Sequence, residues 1–176
     1  MDSQQVRHGG ILTCVPSESH TPISLPASVA QTIDERASFC FGCGPANPEG
    51  LHLSFALSEQ SLNLITARAT VSLTRLHEGP PGYLHGGIIA TLLDEAMSKL
   101  NRPLDVLAMT RNLEVEYLRP CPIETPLALV AQHDRRDGRK LFHSATITHP
   151  DGTVLARARG FFLAIDPTIL NATFER

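Results

Sequence analysis

At 176 residues, with 42% hydrophobic and 19% charged side chains, the chain is the size of about one soluble domain and holds enough apolar material for a core. A net charge of −3 argues against a general attraction to nucleic acid or anionic membrane. No apolar run approaches the length that spans a bilayer, so no membrane span is expected.

Residues 1–38 are rich in Ser, Thr, Pro and Gln without a sustained period, and read as a partly irregular N-terminal extension. Its first twenty residues carry an early acid and no continuous apolar segment, so no secretory signal is expected; one arginine is thin support for a mitochondrial presequence, and the cytoplasm is the expected compartment with the mitochondrion as the alternative. Cys14, Cys40, Cys43 and Cys121 are then expected as reduced thiols. One domain is expected over 39–166, with a C-terminal tail at 167–176.

CFGCGPANPEG (40–50) is dense in Gly and Pro and reads as a structured loop. Its two cysteines are half of a zinc or redox motif. A tetrahedral site needs two more ligands and the sequence offers none at ligand spacing, so a structural turn and no metal are expected. LHLSFALSE and LNLITARATVSL alternate apolar and polar residues across a short polar break, predicting a hairpin. HEGPPGYLHGG (77–87) is a loop that runs into a helix, which NRP (101–103) stops. Four more strand-like runs follow, MTRNLEVEYL, PLALVAQHD, RKLFHSATITH and TVLARARGFFLAI, with HPDG a turn between the last two. Consecutive hairpins and one long helix predict an α+β fold, an antiparallel sheet wrapped on that helix.

At about 100° per residue, Ile88, Ile89, Leu92, Leu93, Ala96, Met97 and Leu100 share one apolar face of the helix. Gly87, Ala90, Thr91, Asp94 and Ser98 lie opposite, a lane of small residues holding one acid. Glu95 and Lys99, four apart between the faces, are expected to pair weakly in solvent. A mid-helix Asp is ordinarily just solvated, and paired glycines ordinarily serve a turn. Together they suggest more: the N–H groups of Gly86 and Gly87, expected free at the positive end of the helix dipole, suit an oxygen that gains negative charge. Asp94 lies eight residues on, roughly 12 Å along the axis at 1.5 Å per residue, too far to reach the same atom within one chain. If both act on one substrate, two antiparallel copies of the helix must meet along the lane, which predicts a homodimer with two identical composite sites.

HEGPPGYLHGGIIATLLDEA, then AMTRNLEVEYLRPCPIETPL and GRKLFHSATITHPDGTVLARARGFF, together resemble the PaaI-like branch of hotdog-fold acyl-CoA thioesterases, in the 4-hydroxybenzoyl-CoA thioesterase-like superfamily. The likeness runs from about Cys40 to Ile165 and is strongest to thioesterase superfamily members four and five and their microbial relatives. It implies a hotdog fold dimerising by sheet extension, with a dimer of dimers open beyond that, and hydrolysis of acyl-CoA or acyl-carrier thioesters in fatty acid metabolism without a cofactor of the protein's own. Asp94 matches the catalytic acid, base or nucleophile; Gly86 matches the backbone oxyanion donor; His85 matches the histidine beside it; Thr110 matches the hydroxyl that orients water or the acid. Gly79 stands where many relatives carry an Asn that holds the thioester carbonyl, and His77 is the candidate substitute. Gly87 and Arg111 complete the expected substrate contacts, Arg111 or Arg119 toward coenzyme A phosphates.

Alternation counted from Leu113, Val115 and Tyr117 puts Thr110 on the opposite face, with Asn112, Glu114 and Glu116. Arg135, Arg136, Arg139, Lys140, Arg157 and Arg159 read as solvated strand ends or further phosphate contacts. His52, His133, His143 and His149 show no ligand spacing, and nothing marks Cys121 as a nucleophile. Two other functions compete with hydrolysis: hydration or dehydration of an enoyl thioester, and non-catalytic acyl-thioester binding by a regulatory protein.

Overall fold

The computed structural model describes residues 38–61 and 64–166; the expected N-terminal extension and C-terminal tail fall almost wholly outside these. Six strands, β1 (Ala56–Ser61), β2 (Leu64–Val71), β3 (Ala108–Tyr117), β4 (Leu127–Asp137), β5 (Lys140–Thr148) and β6 (Val154–Ala164), form one antiparallel sheet. Their spatial order is β1-β2-β4-β5-β6-β3, and α1 (Gly86–Ser98), the one α-helix among the described residues, packs on one face. This is the α+β hotdog arrangement the sequence predicted. Among the described residues, no helix is long and apolar enough to cross a membrane.

Period-two alternation builds the inner face of the sheet. Leu127, Leu129, Ala131 and His133 of β4, then Leu141, His143, Ala145 and Ile147 of β5, are buried one residue in two. The helix answers with Ile89, Leu92, Leu93, Ala96 and Met97, and the turn that follows it with Leu100, all buried, while Ile88 is only partly covered. Each such aliphatic side chain stabilises the fold by roughly 1.5–3 kcal/mol, so this seam fixes where α1 lies. The β4–β5 and β5–β6 turns place Gly138 and Gly152 at φ 57° and 90°, a left-handed backbone that other residues adopt only under strain.

Two expectations about the strands need correction. The run LHLSFALSE is a strand only from Ala56, because Leu51 and Leu53 donate their N–H groups to the carbonyls of Phe41 and Gly42 in the preceding loop. The hairpin series is also broken: β3 pairs with β6 and not with β4. Its connector runs back past the helix N-terminus, where Leu84 N–H bonds the Cys121 carbonyl and Glu124 N–H bonds that of Leu73. β3 is therefore an edge strand, and it carries exposed Met109 and Tyr117, with exposed Leu118 just beyond its end.

Candidate active site

The helix begins at His85, whose extended backbone (φ −63°, ψ 139°) makes it the N-cap. Its Nδ1 accepts the Gly87 N–H at 3.0 Å. An accepting Nδ1 carries no hydrogen, which places the ring N–H at Nε2. The two glycine N–H groups expected to be free thus differ. Gly87 is capped, whereas among the described residues no hydrogen bond takes the N–H of Gly86. Gly86 sits under the ring of Tyr117, whose hydroxyl donates to the Gly86 carbonyl at 3.1 Å. That leaves the Gly86 N–H as the open donor at the positive end of α1.

The loop before the helix is pressed against the cap. His85 N–H bonds the His77 carbonyl and Gly79 N–H bonds the Tyr83 carbonyl, both at 2.9 Å. A Cβ at Gly79 would lie 2.9 Å from the Cα of His85 and 3.3 Å from its Cβ, so an Asn could not stand here without moving the backbone. His77 lies two residues away in the same loop, with Nδ1 3.3 Å from the Thr74 carbonyl.

Asp94 projects from the middle of α1, partly buried, and accepts a 2.8 Å hydrogen bond from the Thr110 hydroxyl. Burial pushes its carboxyl above the usual range and the charge of Glu95 adds to that, while the Thr110 bond pulls the other way. Alternation put Thr110 on the face opposite Leu113 and Val115. The register shows otherwise: Thr110 pairs with Phe162, Asn112 pairs with Phe161, and Arg111 is the extra residue between them. This β-bulge resets the alternation, so Thr110 shares the inward face of Leu113 and Val115 and meets Asp94. Arg111 is exposed at the bulge, next in chain to Thr110.

The structure thus brings Asp94 and Thr110 together, and gathers His85, Gly86, Gly87, Gly79 and His77 at the other end of α1. Within one chain the two groups remain apart by the helix rise already given. Sequence reasoning missed Tyr117, which the strand pattern marks only as an aromatic on an edge.

A second polar cluster flanks the same helix. Lys99 Nζ reaches Glu95 Oε1 and Cys43 Sγ, each at 2.8 Å, and Cys40 Sγ lies 3.7 Å from Glu95 Oε2. The Glu95–Lys99 pair is not in solvent as expected; the two side chains are 12% and 11% exposed, because the CFGCG turn folds over them. Burial and Glu95 push the Cys43 thiol up to about 12, despite Lys99. Cys40, Cys43 and Cys121 are free thiols; Cys121 is buried, which pushes it up to about 11.

The scattered histidines also resolve. His133 and His143 face each other across β4 and β5 with Nδ1 atoms 3.1 Å apart, and His143 Nε2 lies 3.0 Å from Asn101 Oδ1, all three buried. Several late arginines are engaged locally: Arg157 with Glu116, Arg139 with the Ala164 carbonyl, Arg136 with the Gly138 carbonyl, and Arg135 over the Phe142 ring.

Against known proteins, the thioesterase superfamily profile matches residues 81–156. The chain is 36% identical over 123 residues to acyl-coenzyme A thioesterase THEM4 of Mus musculus, covering 68% of this chain and 51% of that protein. It therefore spans about half the length of that curated relative. Among solved structures it is similar to a thioesterase superfamily protein at 33% identity and a TM-score of 0.58, covering 68% of this chain and 60% of the other. The PaaI protein of E. coli, from the phenylacetic acid degradation operon, shares the fold at 19% identity and a TM-score of 0.57, over 66% and 81% of the two chains.

Proposed function

We propose that this chain, whose residues 81–156 match the thioesterase superfamily, hydrolyses acyl-CoA thioesters at a site completed by a second copy of the chain. One observation carries the reading. Asp94 is a half-buried carboxyl in the middle of a core-facing helix, and its hydrogen-bond partner is a neutral hydroxyl and not a cation. No cation holds this carboxylate in the contacts described; a hydroxyl orients it and occupies one of its several acceptor sites. Curated relatives that bear the name acyl-coenzyme A thioesterase support the substrate class.

In the proposed reaction, Asp94 takes a proton from water as that water attacks the thioester carbonyl, or attacks the carbonyl itself to form an anhydride that water then opens. The carbonyl oxygen turns anionic in either route. The Gly86 N–H, which no hydrogen bond takes among the described residues and which the helix dipole backs, stabilises it, an interaction typically worth about 2.7–4 kcal/mol. Collapse expels the coenzyme A thiolate, which is protonated on release. The chemistry needs water and no further cofactor.

Asp94 and Gly86 can meet one carbonyl only if they come from different copies. The edge strand β3 favours such pairing, since its outer backbone edge, unpaired among the described residues, and its exposed Met109 and Tyr117 suit extension by a second sheet. The test is a thiol-release screen across acyl-CoA chain lengths and aryl thioesters, with Asp94→Asn as control. Release that depends on Asp94 is expected; near-normal turnover in that variant ends the assignment.

A further inference from the structure

The turn at Cys40 and Cys43 holds a ligand set that sequence spacing alone does not reveal. Gly44 closes the turn by donating its N–H to the Cys40 carbonyl at 2.8 Å, and a Cβ there would collide with the backbone of Cys40 and Ser38. Gly42 leaves room where any Cβ would collide with the Glu95 carboxylate. The turn is thus shaped around a side chain from α1. It brings Cys40 Sγ, Cys43 Sγ and a Glu95 carboxylate oxygen within 4.8 Å of one another, and among the described residues no further His, Cys, Asp or Glu joins them.

We propose that Cys40, Cys43 and Glu95 bind one zinc ion, with water in the fourth position on the exposed Cys40 side, and that this ion clips the 38–50 loop onto α1. The separations support it. Zinc–sulfur and zinc–oxygen bonds of about 2.3 and 2.0–2.2 Å give a tetrahedral sulfur–oxygen edge of about 3.5–3.7 Å. Cys40 Sγ and Glu95 Oε2 stand 3.7 Å apart. Lys99 holds the other carboxylate oxygen, Oε1, which leaves Oε2 to face the thiols. Charge closes as well. Glu95 and Lys99 already cancel; two thiol protons leave as one divalent cation enters, and Lys99 then donates to the Cys43 thiolate as an outer partner. Two soft thiolates select zinc over magnesium or calcium.

The test uses the full chain, reduced and stripped with a chelator, then titrated with Co2+ and with Zn2+. One Co2+ per chain is expected, with sulfur-to-metal charge-transfer absorption, and Zn2+ displaces it and raises Tm. Cys40→Ser and Cys43→Ser abolish the absorption, Glu95→Gln weakens binding tenfold or more, and Cys121→Ser leaves it unchanged. Because Glu95→Gln also breaks the pair with Lys99, the exposed Cys40→Ser keeps the test decisive if the glutamine variant does not fold. Asp94→Asn retains cobalt uptake while losing thiol release, which separates this site from the proposed reaction. Substoichiometric uptake, uptake indifferent to both serine variants, or a Cys40–Cys43 disulfide in place of metal overturns the proposal.

Discussion

The Thr110 hydroxyl reaches Asp94 at 2.8 Å because β3 carries one residue more than its partner strand, the bulged Arg111. The bond opposes the effect of burial on the carboxyl, so it favours the charged form that a base or nucleophile needs. Asp94→Asn should lower kcat by roughly 10²–10⁴-fold, the usual range for a lost general base. Thr110→Val should cost less, about 1.5–3 kcal/mol or roughly 10–100-fold, the range for a hydrogen bond to a charged group. It should also move the acidic limb of the kcat profile to higher pH, because burial then acts unopposed. Thr110→Ser should restore both. An unmoved limb in the valine variant would show that Thr110 does not act through Asp94.

The Gly86 N–H can be removed almost alone. Gly86 is the first residue of α1, where proline is well tolerated, and His85 before it already has the extended backbone that a following proline requires. The nearest atoms that a Cβ at this position would meet belong to the Tyr117 side chain, at an ordinary contact distance of 3.7–3.8 Å. Gly86→Pro should therefore fold and lose roughly 10²–10³-fold in kcat if this donor serves the oxyanion. Co-expression with Asp94→Asn then tests the shared site. Random pairing makes half the dimers mixed, each with one intact centre, so about a quarter of the unmutated activity should return. If each chain holds its own centre, no activity returns.

The helix, its apolar face and the six strands were legible because each rests on periodicity, which sequence displays directly. Thr110 shows where that ends. Strict alternation puts it opposite Leu113 and Val115, and only the pairing of β3 with β6 discloses the bulge that sets it on their face. Gly87 shows a second limit: its N–H is claimed by a side chain two residues back, a choice of His85 rotamer that no pattern records. The Cys40, Cys43 and Glu95 cluster needed contacts 55 residues apart in sequence. The His133–His143 pair is hidden for the same reason as Thr110: the turn pairs Asp137 with Lys140, so plain counting sets His143 opposite Asp134, and only a register shift between His133 and Arg135 brings His133 across.

His85 carries two separable jobs, because Nδ1 caps the helix and Nε2–H is left to face outward. His85→Ala loses the cap and should cost about 0.5–2 kcal/mol of stability. His85→Asn keeps an acceptor at the cap, so its Tm should stay close to the parent's. If Nε2–H contacts the thioester, kcat/KM falls in both variants alike. If it does not, only the alanine variant suffers, and only in stability. Thermal melts and thiol release on the same preparations separate the outcomes.

The buried histidine pair makes the fold acid-sensitive. Burial, with His133 adding to it, lowers His143 from 6.5 to about 3, and burial lowers His133 as well. Above pH 6.5 both rings are neutral folded or unfolded, and the pair adds no pH dependence. Below it the unfolded chain takes protons that the folded core refuses, so stability falls as pH falls through the window from about 6.5 to 3. The slope approaches roughly 1.4 kcal/mol per pH unit for each ring still neutral in the fold. Asp94, raised in the fold, acts with the opposite sign, so the comparison belongs in the Asp94→Asn background. His143→Gln retains a donor toward Asn101 and does not titrate. Urea midpoints taken from pH 7 down to pH 4 should fall more steeply in the parent than in this variant. Parallel slopes would mean that the rings accept protons without leaving the core, and that the Asn101 network stabilises charge instead of excluding it.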